Sequence, residues 1–167
     1  MSARGRDGAR RLPRAACAVA LALAAACATL PARADPSDPN EASASDADYS
    51  AGRAAVVQRR WAEAISALQK AAVRFPDDAD LQNDLGYAYR NLGQFEPAFR
   101  HYKRALALDP RHRGAHEYIG EAYLLVDDLP GAERHLAALG EICLLPCEQQ
   151  DDLRKAVAAY KARKGAR

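Results

Sequence analysis

The chain has 167 residues, 49% of them apolar and 28% charged, which predicts one modest domain with a buried core. Its alanine-rich composition, poor in β-branched residues, favours helices and excludes a strand-rich fold. The net charge of +2 is unevenly spread, because 18 basic and 21 acidic residues remain after the first 34 positions. This balance excludes the basic surface of a nucleic-acid-binding domain.

The N-terminus has the pattern of an export signal. Residues 1–14 are basic, residues 15–30 carry no charge, and the following "PARAD" places Ala32 and Ala34 as an A-x-A site. We therefore predict a signal peptide over 1–34, cleaved after Ala34, and a periplasmic or secreted protein. Sixteen uncharged residues fall short of the roughly 20 that span a bilayer, so we expect no membrane insertion after cleavage.

Two other interpretations of this segment stay open. The apolar stretch could be kept as a signal anchor, or "LAAAC" could make Cys27 the lipidated residue of a lipoprotein, although Ala24 stands where a larger aliphatic residue is preferred. After the signal, residues 35–47 are rich in Pro, Ser, Asp and Ala and have no large apolar residue. They predict a disordered acidic tether.

Several residue types then recur at an interval of 34 positions, including the prolines Pro76 and Pro110. Such a period is typical of stacked helix pairs, in which small residues mark the points where helices approach closely. The small residues that we predict to pack at these contacts are Gly52, Ala64, Gly86, Ala98, Gly120 and Ala132.

The middle unit shows the pattern most clearly. Apolar spacing predicts a first helix over Ala79–Leu92, a turn at Gly93 with positive φ, and a second helix over Glu96–Leu108 that ends before Pro110. A last helix is predicted over Glu148–Lys164, with acids leading and bases trailing. Its single narrow apolar stripe indicates a cap for the end of the stack.

The middle unit resembles the tetratricopeptide repeat (TPR) family. Its motif positions are Leu85, Gly86, Tyr89, Ala98, Tyr102 and Pro110. The resemblance implies an all-α fold, a right-handed solenoid of three TPR helix pairs plus a C-terminal capping helix. The units would span about 45–78, 79–112 and 113–144, together 48–144 after the tether, and 145–167 would form the capping helix and a basic tail.

The resemblance also implies a concave groove lined by the first helix of each unit. There Asn83 would bond a peptide backbone, Tyr87 would stack or bond, and the arginines would meet carboxylates. Because two glutamates oppose the arginines, we expect a peptide or protein partner of mixed charge; these side chains could also be merely solvated helix faces. The candidate groove residues are Tyr49, Arg53, Asn83, Tyr87, Arg90, Glu117 and Glu121.

No catalytic constellation emerges from the sequence. His112 and His116 have the spacing of metal ligands on one helical face, but no carboxylate is obviously placed to complete a site. Paired aspartates lie at turns and helix starts, where helix capping explains them. We therefore predict a protein without enzymatic activity, cofactor or metal; its oligomeric state is not indicated.

The stretch "CLLPC" holds Cys143 and Cys147, the only cysteines left after signal cleavage. It lacks the C-x-x-C-H spacing of haem attachment and the C-x-x-C of thioredoxin-like chemistry. A structural disulfide that joins the cap to the stack is favoured, with unpaired thiols or a redox or metal role as alternatives.

These patterns predict an exported bacterial interaction module, a scaffold or adaptor of the cell envelope. One alternative is a thiol-redox or cofactor-assembly accessory factor that uses Cys143 and Cys147. Another is a structural subunit of an envelope complex, docked through the stack ends or the last helix.

Overall fold

The computed structural model describes residues 43–166, which belong to one compact unit. The predicted signal peptide and most of the predicted tether lie outside the described residues. The described part contains helices and no strand, so the all-α prediction is confirmed. The helices are α1 (Ala47–Val57), α2 (Trp61–Arg74), α3 (Ala79–Asn91), α4 (Phe95–Leu108), α5 (Arg113–Leu125), α6 (Leu129–Ile142) and α7 (Glu148–Gly165).

Two residues at the end of the predicted tether, Ser43 and Asp46, make specific contacts in the structure. Ser43 is fully buried and its hydroxyl donates a hydrogen bond to Asp78. Asp46 caps α1 by accepting from the backbone N–H of Tyr49 at 3.0 Å, and Arg74 donates to the same carboxylate at 2.7 Å. Small polar residues look like a linker in the sequence, but here they serve as helix caps.

The helices pack in successive pairs, α1 with α2, α3 with α4 and α5 with α6. A Cβ built on Gly52 would lie 2.6 Å from Leu68, and one built on Gly86 would lie 2.6 Å from the ring of Tyr102. Each glycine therefore lets its helix approach the second helix of the same pair, as the 34-residue register predicts. Gly120 differs, because its close neighbour is Leu153 of α7.

The turn inside each pair contains one left-handed residue at the same register position. Gly93 has φ +73°, as the sequence predicts, while Arg59 and Asp127 take the corresponding positions with φ 57° and 60°. Only glycine adopts this conformation without steric cost. The repeat therefore keeps the turn geometry even where it has lost the glycine.

The last helix packs on both helices of the third pair, α5 and α6. Its apolar stripe consists of Leu153, Val157 and Tyr160, all of which are buried. The outer face is polar, as a solenoid end requires. Within residues 43–166, no helix combines the length and the apolar character needed to cross a membrane.

Candidate functional site

The predicted groove residues lie on α1, α3 and α5, the first helices of the three pairs. Side-chain contacts join α1 to α3 and α3 to α5. At the first junction, the Tyr49 hydroxyl donates to Asp84 at 3.3 Å and the Arg53 Nε atom lies 3.7 Å from the same carboxylate. At the second junction, Arg90 forms an ion pair with Glu121. We call the surface that these three helices line the groove.

An aromatic cluster forms the middle of the groove. The ring of Tyr87 lies 4.8 Å from that of Tyr118 and 5.8 Å from that of Trp61, centre to centre. The Arg90 guanidinium lies over both tyrosine rings, at 5.1 and 5.3 Å. Sequence reasoning did not include Trp61 or Tyr118 among the groove residues. The one available signal was that Tyr118 is adjacent in sequence to Glu117, which was included.

The two groove arginines have partners within the protein. The Arg90 side chain is only 11% exposed and is paired with Glu121, while Arg53 is paired with Asp84. Sequence reasoning assigned both arginines to carboxylates of a partner. In the structure their charges are already compensated, so a partner that relies on them would have to compete with these pairs.

Two polar groups of the groove lack partners among the described residues. Asn83 is 6% exposed and its Oδ1 atom accepts no hydrogen bond. Its Nδ2 atom lies 3.7 Å from the position that a Cβ of Gly114 would occupy, one helical turn before Glu117. Glu117 itself is half-buried and has neither a hydrogen bond nor an ion pair in the described part of the chain.

The surroundings of Glu117 are acidic. Burial, followed by the charges of Glu121 and Asp152, raises the pKa of its carboxyl to about 7, and Glu148 acts in the same direction. Arg90 opposes these effects without outweighing them. The first turns of α7 therefore contribute negative charge to the groove.

The first junction also contains a carboxyl group with a raised pKa, that of Asp84. Burial raises the pKa of Asp84 to about 6, against the opposing effect of Arg53, and the neighbouring Asp80 adds to the rise. Asp80 is paired with His112, whose Nε2 atom lies 3.0 Å away. The Nδ1 atom of His112 accepts from the Ala115 N–H and caps α5, so the metal-ligand spacing of His112 and His116 has a structural explanation.

The last helix also forms one wall of the groove, which the sequence did not predict. Between α5 and α7 lies a cleft of about 220 Å³. Arg90 and Glu121 line it together with apolar residues of both helices and a second arginine. The other lining residues are Leu124, Leu125, Ala156, Ala159 and Arg163.

Beside the groove, the second and third pairs contain equivalent polar relays. Gln82 donates to the Pro76 carbonyl at 3.3 Å, and its Oε1 atom lies 2.8 Å from His101 Nδ1. Thirty-four positions later, His116 Nε2 donates to the Pro110 carbonyl at 3.1 Å, and the Nδ1 atoms of His116 and His135 lie 2.9 Å apart. Since Nε2 of His116 must carry a proton, its Nδ1 accepts from His135.

The "CLLPC" segment links α6 to α7. The two sulfur atoms are bonded in the structure, and the Cα atoms of Cys143 and Cys147 are 6.1 Å apart. Leu144 and Leu145 between them are 91% and 79% exposed. No cluster of three or more potential metal ligands occurs within residues 43–166.

Comparisons with known proteins agree with this architecture. Residues 79–112 match the family model described as tetratricopeptide repeat. The chain is 26% identical over 115 residues to a TPR repeat-containing thioredoxin of Arabidopsis thaliana, a match that covers 69% of this chain but spans only 16% of that relative.

Solved TPR structures share the fold. The second TPR domain of human RPAP3 in complex with the HSP70 peptide SGPTIEEVD has a TM-score of 0.63 at 17% identity, covering 74% of this chain and 98% of that one. The Yersinia enterocolitica type III secretion chaperone SycD in complex with a peptide of the translocator YopD has a TM-score of 0.62 at 20% identity, covering 70% and 92%. At these identities the likeness concerns the fold, and it confirms the predicted TPR-like solenoid.

Proposed function

We propose that this protein is a non-catalytic interaction module. Two findings support the proposal: residues 79–112 match the tetratricopeptide repeat family model, and the fold resembles that of solved TPR domains. The module holds a peptide or an extended segment of a partner protein in the groove. The observation that carries the proposal is the continuity of the groove across α1, α3 and α5. Half-buried aromatic rings and unpaired polar groups along this surface are the features that anchor partners.

The proposed setting is the bacterial cell envelope. A signal peptide over 1–34 with cleavage after Ala34 would export the chain, and the Cys143–Cys147 disulfide would persist in an oxidising compartment. Intact-mass analysis of protein purified without thiols, from its native host, tests both parts. The mass of a chain that begins at Asp35 and lacks two hydrogens supports both the cleavage and the disulfide. The mass of an uncleaved chain contradicts the cleavage, and the mass of a fully reduced chain contradicts the disulfide.

The groove is tested by affinity capture from an extract of the native cells. The variant Asn83→Ala/Tyr87→Ala alters the groove and leaves both residues of the Arg90–Glu121 ion pair in the chain. Lys103→Ala, on the exposed face of α4, is the matched control. Loss of captured proteins with the double variant but not with the control supports the proposal; equal capture by both would refute it.

A further inference from the structure

The charges of the groove do not balance. Four carboxylates lie on α3 and α5 along it, and two guanidiniums, those of Arg53 and Arg90, pair with two of them. A third guanidinium, that of Arg163, lies at the α7 wall beside Glu121. Arg53 is committed to Asp84 and Arg90 to Glu121. The remaining carboxylates are those of Asp80, which His112 contacts, and Glu117.

Glu117 is the carboxylate without a partner among the described residues. The charges that act on it are mostly acidic: those of Glu121, on the same helix, and of Asp152 and Glu148, on α7. Arg90 is the cation that opposes these charges at Glu117, and that side chain pairs with Glu121. A half-buried carboxylate in such surroundings lowers the stability of the unbound protein.

Asn83 provides an independent observation at the same register position. It precedes Glu117 by 34 residues and lies on the neighbouring first helix, with more than nine-tenths of its surface buried. Its Oδ1 atom has no donor, although buried polar atoms in native proteins are nearly always hydrogen-bonded. Both unmet atoms are hydrogen-bond acceptors.

Two unmet acceptors on adjacent helices require a ligand that supplies donors and positive charge. Lysine and arginine side chains are donors without acceptors, and a cation also relieves the repulsion among the carboxylates. Adjacent packed helices lie about 8–10 Å apart, a distance that one basic residue and its backbone amide can bridge.

We propose that the groove binds a basic segment of its partner, with a lysine or arginine side chain bonded to Glu117 and a donor of the same segment at Asn83. This inference rests on the proposed function and narrows the class of partner. The partner is therefore defined by a cation at one fixed position, and acidic segments are excluded by Glu117 and the first turn of α7.

The experiment is a selection of random 12-residue peptides, displayed on phage, on the purified protein. The same selection is run on Glu117→Gln, which removes the charge and keeps the shape, and on Asn83→Ala. Glu141→Gln removes an exposed carboxylate on α6 and is the matched control. Peptides enriched on the wild-type protein are then synthesised and their affinities for all four proteins are measured.

We expect the enriched peptides to share a lysine or arginine at one position. Glu117→Gln should weaken their binding about tenfold, the usual effect of losing one charge-assisted hydrogen bond, and Asn83→Ala should also weaken it. Glu141→Gln should leave the affinity unchanged. Replacing the shared basic residue by alanine in the peptide should remove the difference between wild type and Glu117→Gln.

The outcomes separate the two proposals. Enriched peptides that depend on Asn83 but are acidic, or show no charge preference, would overturn the inference and leave the proposed function standing. Absence of any enrichment that depends on the groove variants would overturn both. Equal loss of affinity in Glu117→Gln and Glu141→Gln would reduce the effect to general electrostatics and also reject the inference.

Discussion

In the second helix pair, the polar relay beside the groove consists of Gln82 and His101. The Tyr89 ring stacks on the His101 ring, with their centres 5.4 Å apart. In the third pair, His116 takes the place of Gln82, and the Tyr123 ring lies 5.7 Å from that of His135. The carbonyl acceptors, of Pro76 and Pro110, are also equivalent. The same geometry is therefore built once with an amide, that of Gln82, and once with an imidazole, that of His116.

The same contrast recurs at other positions of the two pairs. Asn83 of the second pair corresponds to Glu117 of the third, so a neutral amide is exchanged for a carboxylate. Gly86 faces Tyr102 within its own pair, whereas Gly120 faces Leu153 of α7. At these three register positions the third pair thus has ionisable groups or a contact with α7, where the second pair has neutral groups and a contact within the pair.

The largest effect is expected from Leu153→Ala, which tests the dependence on α7. Leu153 is fully buried, and truncating such a side chain costs about 2–5 kcal/mol. Hydrogen exchange should show α7 and α5 losing protection while α3 and α4 keep theirs. Leu144→Ala, at a 91% exposed position, is the control; a uniform loss over all helices would contradict the comparison.

The two glycines should respond unequally to alanine. A Cβ at position 86 would meet the rigid, buried ring of Tyr102, while one at position 120 would meet the flexible end of Leu153. Gly86→Ala should lower the free energy of unfolding by about 1–3 kcal/mol through overpacking. Gly120→Ala should change it by less than about 1 kcal/mol, because the helix preference of alanine offsets the crowding. Urea unfolding measures both free energies. Equal losses would contradict the contact between Gly120 of α5 and the side chain of Leu153 of α7.

Glu117→Gln should stabilise the protein at high pH. The folded state raises the pKa of Glu117 from 4.5 to about 7. At this carboxyl the folded state therefore binds more protons than the unfolded state between these values, and the contribution of Glu117 to stability falls as the pH rises through that range. We expect the variant to be more stable by about 1 kcal/mol at pH 8, less than the full shift implies because the side chain is only half-buried. At pH 4 the two proteins should be equal by thermal unfolding; a difference at pH 4 as large as that at pH 8 would disprove the electrostatic origin.

His116→Gln should convert the third relay into the second, with the smallest effect on stability. Burial lowers the pKa of His135 to about 4, and the charge of His116 adds to the shift. The contribution of His135 to wild-type stability should therefore rise with pH from about 4 to 6.5. The variant should raise the pKa of His135 in an NMR titration and weaken this dependence by less than about 1 kcal/mol. Gln82→His should have the converse effect on His101, and an unchanged pKa in both variants would show that burial alone sets these values.

The 34-residue period was sufficient to predict the helix pairs, because every contact within a pair repeats with it. Gly86 and Tyr102, for example, occupy fixed register positions. The period ends at α6, so it could not predict that α7 would lie along α5 and place Leu153 against Gly120. Nor did it predict the Arg90–Glu121 pair, because the residues equivalent to Arg90 in the other two units are Val56 and Leu124. Contacts between non-equivalent residues depend on the tertiary packing of one particular junction.

The Arg90 side chain, held between Tyr87 and Tyr118 and paired with Glu121, has a consequence for the kinetics of recognition. A long side chain that is already immobile loses little conformational entropy when a partner arrives. The groove is thus preorganised at its centre, and the entropic cost of association falls mainly on the incoming segment. Among related partner segments, we expect differences in affinity to appear mainly as differences in dissociation rate.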